Sequence, residues 1–197
     1  MHAAYQNQIV FTRSDLTLSA IIPSALVTDF TLGQPIFFRV YTERSAVHAI
    51  AAKNGKPAQQ IYADGVHYTA RFKVGGQIFD TQIKPWGGRR DHQTCTTWRG
   101  QLGNPERVVV PGADAFLELL SRAMAMGLLK PGQHSIKMEL IAQTNTENSG
   151  KLYSGIVGRR SFRLAVPAGA FTPPNRAVCG LAEAPPAAQR SRRARCP

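Results

Sequence analysis

Both tryptophans of the chain, three arginines, a histidine and a cysteine fall within one short stretch, Lys84-Pro85-Trp86-Gly87-Gly88-Arg89-Arg90-Asp91-His92-Gln93-Thr94-Cys95-Thr96-Thr97-Trp98-Arg99. An exposed Trp86 beside Gly87-Gly88 offers a flat apolar face that stacks on a sugar ring or a base, and the guanidinium groups of Arg89 and Arg90 can hold an anion beside it. Trp86, Arg89, Arg90 and His92 are therefore the candidate ligand-binding residues. A simpler reading of the same residues makes Trp98 a core residue of its strand, Trp86 a plug at one end of the fold, and the arginines solvated surface charge.

The segment also invites a nucleophilic reading, with Cys95 as nucleophile, His92 as base and Asp91 as orienter. Its spacing counts against that chemistry, because nucleophile and base usually come from separate segments that the fold brings together. No GxSxG elbow is present elsewhere. No metal or other cofactor is expected. His2, His48, His67, His92 and His134 are scattered, without the HExxH spacing that aims two imidazoles at one ion, and Cys95, Cys179 and Cys196 form no CxxC pair. An odd cysteine count argues against a disulfide framework, although in an oxidising compartment Cys179 and Cys196 can pair and leave Cys95 as a buried thiol. The acidic residues are mostly spread singly. Asp114 and Glu118, four apart, are explained by a helix surface rather than by paired acid–base work.

The elements that must position the Lys84–Arg99 segment read mainly as strands. In Val66-His67-Tyr68-Thr69-Ala70-Arg71-Phe72-Lys73-Val74 apolar and polar residues alternate without a break, the mark of a strand with one buried and one wet face. Gly75-Gly76 supplies the positive φ of a two-residue hairpin, and residues 77–83 read as the returning strand. The same alternation in residues 135–140 and 161–166, separated by a polar loop, predicts a second hairpin. Residues 8–12, 35–43, 59–62 and 95–102 are further strand candidates.

One stretch, residues 113–126, breaks this rhythm. Phe116, Leu120, Ala123 and Met124 recur at helical spacing and Gly127 suits the position just past a helix end. Short strands punctuated by Gly and Pro, with one helix between them, predict a mainly β fold. The expected form is a two-sheet antiparallel β-sandwich of immunoglobulin-like or jelly-roll type with one amphipathic crossover helix, spanning residues 1–167. Residues 168–197, rich in Ala, Pro and Arg, read as a disordered basic tail.

At 197 residues, with 43% hydrophobic and 18% charged side chains, the chain has the composition of a folded domain. A core of that scale buries roughly 70% of the unfolded chain's surface. The net charge of +12 attracts polyanions such as nucleic acid or acidic polysaccharide. Five arginines against one glutamate give the tail +4 of that charge. His67, Arg71, Lys73, Lys137 and Arg163 fall on the outward side of their strands, so a basic sheet face is expected. Tyr68 and Phe72 point the other way, however, so no aromatic platform accompanies it, and no RNP or helix-turn-helix signature supports nucleic-acid binding.

No apolar run is long enough to span a membrane, and the start, Met1 to Asp15, lacks the basic and apolar regions of a secretory signal. Taken as it stands the chain reads as cytoplasmic. A first strand so close to Met1 is also what remains after loss of a leader, and the location is then extracytoplasmic. The functional expectation is a non-enzymatic binding or structural module that presents the Trp86–His92 loop, or a sheet face, to a macromolecular partner. Polyanion binding is the alternative, and a cysteine-dependent enzyme comes third.

Overall fold

The computed structural model describes residues 3–17, 21–83, 91–103, 113–145 and 150–169. Eight strands, β1 (Gln8–Thr12), β2 (Asp29–Thr31), β3 (Ile36–Tyr41), β4 (Val66–Val74), β5 (Gln77–Ile83), β6 (Thr97–Leu102), β7 (Gly132–Thr144) and β8 (Ser154–Val166), are joined by four helices. These are α1 (Ala46–Asn54), α2 (Ala58–Asp64), α3 (Asp91–Thr94) and α4 (Ala113–Ala125).

The alternation in β4 does what its pattern requires: Tyr68, Ala70, Phe72 and Val74 are completely buried, while Lys73 faces water. Gly75 and Gly76, at φ 55° and 88°, make the tight turn into β5. β7 and β8 form the second expected hairpin, longer than the sequence pattern indicates, and β7 also pairs antiparallel with β4. Helix α4 ends on a Schellman motif: the N–H of Leu128 donates to the Ala123 carbonyl at 2.9 Å and that of Gly127 to the Met124 carbonyl at 2.8 Å. Gly127, at φ 70°, supplies the left-handed residue that this ending needs.

The mainly β character is as expected, but the two-sheet antiparallel sandwich is not what forms. All eight strands join one mixed sheet, curled into a half-barrel, in the order β5-β4-β7-β8-β1-β3-β6, with β2 against β8. The departure lies in long-range pairing: β1 and β2 both run parallel to β8, through Gln8 opposite Arg159 and Asp29 opposite Arg163. Those parallel ladders join what would be two sheets into one. The crossover helix also has company, since residues 46–54 and 58–64 are helical. The strand expected at residues 59–62 is therefore part of α2.

Curling requires that the strands on opposite sides of the bend approach closely. The β7–β8 register shifts between Leu140 and Ile141, and opposite Leu140 stands Gly158. A methyl group on Gly158 would collide with Val40 Cγ1 and crowd Ile9 Cγ1, so the absence of a side chain lets β8 pass beneath β1 and β3. Helix α4 touches both edge strands, β5 and β6, and covers the open side of the half-barrel. Its Phe116, Leu119, Leu120 and Ala123 are buried there. The Phe116 ring lies 5.1 Å from that of Phe72 and 6.3 Å from that of Phe162. Helix α1 buries Ala46, Val47 and Ile50 against α2 and β8. No helix among the described residues is long and apolar enough to cross a membrane. The tail assigned to residues 168–197 lies outside the described residues beyond Gly169.

Candidate functional site

Between β5 and β6 the chain makes the single short turn of α3, and its residues divide between two environments. His92 turns inward. Its imidazole centroid lies 5.2 Å from the Tyr68 ring and 5.4 Å from the Trp98 ring, which are themselves 5.3 Å apart. Three rings from β4, α3 and β6 thus form a nearly equilateral cluster, each pair tilted rather than stacked flat. Trp98 is the core residue that the simpler sequence reading makes it, 2% exposed.

Two polar atoms of this cluster, Tyr68 Oη and Trp98 Nε1, are buried with no hydrogen-bond partner among the described residues. Leaving such a donor unpaired costs about 1–3 kcal/mol each. Burial pushes the Tyr68 phenol far above its ordinary ionisation range, and the nearby Cys95 pushes it the same way, so the hydroxyl stays neutral. Cys95 itself is a half-buried free thiol packed against the core.

Gln93 and Thr94, the next residues of α3, line a cleft instead. Its volume is about 630 Å³ and its opposite wall is one side of α1 and the turn into α2, carrying Arg44, Ser45, His48 and Lys56 above a floor of alanines. Ser45 and His48 share a wall because positions three apart lie on one helix side, and Arg44 and Lys56 join them from the two ends of α1. Ser45 precedes the first turn of α1, but its hydroxyl makes no cap to the helix N–H groups. It is hydrogen-bonded to His48 Nδ1 at 2.8 Å. The Lys56 ammonium sits over the Tyr153 ring, 5.6 Å from its centroid. Among the described residues no carboxylate lines this cleft. A second open depression of about 690 Å³ on the other flank of α1 mixes Glu43 with Arg44 and Arg159.

The convex face of the sheet carries the cations expected of it, but acids interleave with them. Register aligns Asp80, Arg71, Glu139 and Arg159 as a row of alternating charge across four strands. Arg71 donates from Nε and Nη2 to the two Asp80 carboxylate oxygens, both at 2.8 Å, Lys137 pairs with Glu139 at 2.6 Å, and Arg163 pairs with Asp29. The guanidinium groups hold the Asp80 and Asp29 carboxyls below their ordinary range, through hydrogen bonds first. His134, half-buried at the start of β7, is hydrogen-bonded through Nε2 to the Lys130 carbonyl at 2.6 Å.

No protein-family model, no curated protein and no solved structure matches the chain.

Of the four candidate binding residues, His92 falls within the described residues and is the inner anchor of the segment. Trp86, Arg89 and Arg90 lie outside them. Asp91 begins α3, but its side chain is likewise outside the description. Among the described residues no cluster of three or more His, Cys, Asp or Glu side chains could hold a metal ion. Sequence reasoning missed the cleft wall of Arg44, His48 and Lys56. The available signal was Ser45, a residue type favoured just before a helix, at the head of a short Ala-rich run.

Proposed function

We propose that the protein is a non-enzymatic binding module whose recognition surface is the end of the half-barrel where α1, α2 and α3 meet, and that its partner is a macromolecule. The observation that carries this reading is the division of α3. His92 packs beside both Tyr68 and Trp98, while Gln93 and Thr94 stand in the wall of a solvent-open cleft. That packing ties α3, which follows Arg90 in sequence, to a rigid core contact at the end of the barrel that carries the cleft. Functional loops positioned by a rigid scaffold in this way are the common arrangement in binding proteins.

The convex sheet face is the weaker candidate, because its arginines and lysines are largely paired with Asp80, Glu139 and Asp29. Capture experiments with candidate partners, using wild type and a Trp86→Ala/Arg89→Ala/Arg90→Ala variant, test the reading. Loss of capture with retained folding is the expected result. Unchanged capture removes the loop from the recognition surface.

A further inference from the structure

We propose that the cleft between α1 and α3 is a binding site for a compact tetrahedral oxyanion, a phosphoryl group carried by the ligand. This deepens the reading of that end of the barrel as the recognition surface and rests on it.

Three basic side chains, Arg44, His48 and Lys56, line one open depression of about 630 Å³, and no acid stands among its described lining residues. They differ in donor geometry: a planar fork, a ring N–H and a point charge. Approached from different sides, that combination fits an anion with several acceptor oxygens better than a planar carboxylate, which a single guanidinium already satisfies.

Arg44 stands near Glu43, but the separation of 4.0 Å from Nε is the outer limit of an ion pair, and both side chains are more than half exposed. The contact is worth little in water. Lys56 is held in place over the Tyr153 ring rather than by a counter-charge. The Ser45 hydroxyl is engaged by His48 Nδ1, so the imidazole is oriented and its Nε2 is left to face a ligand. Gln93 and Thr94 close the other wall with polar groups that accept or donate hydrogen bonds. The cleft also adjoins the start of α1, whose dipole adds positive potential.

The test is a titration of the ¹⁵N-labelled full chain with inorganic phosphate at constant ionic strength, following backbone amide shifts. Saturable shifts centred on His48, Gln93 and Thr94 are expected. Affinity should fall by about tenfold or more in Arg44→Ala/Lys56→Ala and be largely retained in Arg44→Lys/Lys56→Arg. A Lys73→Ala/Lys137→Ala variant of the convex face should bind as wild type does. No saturable response, or shifts centred elsewhere in the wild-type protein, would overturn the proposal whether or not the double alanine variant folds. Acetate shifting the same amides as strongly as phosphate would also overturn it, in favour of a carboxylate. The variant that tests the loop keeps Arg44 and Lys56, so failure of phosphate to bind and failure of the loop to matter are read in separate samples.

Discussion

Trp98 on β6 meets Tyr68 on β4 with ring centroids 5.3 Å apart, although four strands, β7, β8, β1 and β3, separate them along the sheet. The contact therefore crosses the interior of the curl. It joins the last strand at one edge to the second strand at the other, and His92 is inserted beside both rings. The same three residues close the half-barrel at one end and fix α3 there.

Because the Tyr68 hydroxyl is buried without a partner among the described residues, removing it should not harm the fold. Tyr68→Phe is expected to leave stability unchanged or raise it by up to about 1 kcal/mol, measured by urea denaturation. A loss above about 1 kcal/mol would show that the hydroxyl has a bound partner. Trp98→Ala should cost about 3–5 kcal/mol, as truncation of a buried large aromatic does.

Gly158→Ala forces a methyl group against Val40 and Ile9 at the bend of β8. The expected loss is about 1–3 kcal/mol from overpacking, read as a lower denaturation midpoint with an unchanged slope. Val40→Ala, which removes the Cγ1 that the methyl group meets, should cost less in the Gly158→Ala background than in wild type. Additive effects would place the strain elsewhere.

The Arg71–Asp80 pair gives a pH dependence with a definite sign. Asp80 has a lower pKa folded than unfolded, so its contribution is complete above the unfolded value, about 3.9, and disappears as pH falls through the depressed folded value. Both side chains are about two-fifths exposed, which limits the effect to about 0.5 kcal/mol. Asp80→Asn should flatten the acid limb of a stability–pH curve by that amount and leave the curve near neutrality otherwise parallel. A steeper acid limb would contradict the assignment.

The pairing on the convex face leaves the tail as the stronger source of any polyanion affinity. Deleting residues 170–197 removes five arginines and one glutamate. It should markedly lower the salt concentration at which the protein elutes from heparin and reduce the salt slope by about 4. An unchanged slope would return polyanion binding to the sheet.

The strands with one dry face were legible because alternation is a local signal: the limits of β4 follow from it, as does the β7–β8 hairpin, while β5 follows from the Gly75-Gly76 turn and β1 from its β-favouring residues. Alternation tells which residues point inward. It does not tell whether two inward faces belong to one sheet or two, and the parallel contacts Gln8–Arg159 and Asp29–Arg163 join segments too distant in sequence to leave a local mark. Helix α1 escaped notice because it is Ala-rich and packs against α2, α3, β7 and β8, so that no clear apolar stripe marks it. In α2 the β-favouring Ile61 and Tyr62 gave a strand reading that tertiary packing overrides. The place of His92 depends on Tyr68, twenty-four residues earlier, and only the fold supplies that neighbour.

The most direct test of the recognition surface is site-specific photocrosslinking. A photoreactive amino acid is placed in turn at Arg89, at Gln93, and on the convex face at Lys73, followed by exposure to candidate partners. The account requires crosslinks from Arg89 and Gln93 to the same partner and none from Lys73. Crosslinks from Lys73 alone, or equal yields from all three positions, would contradict it.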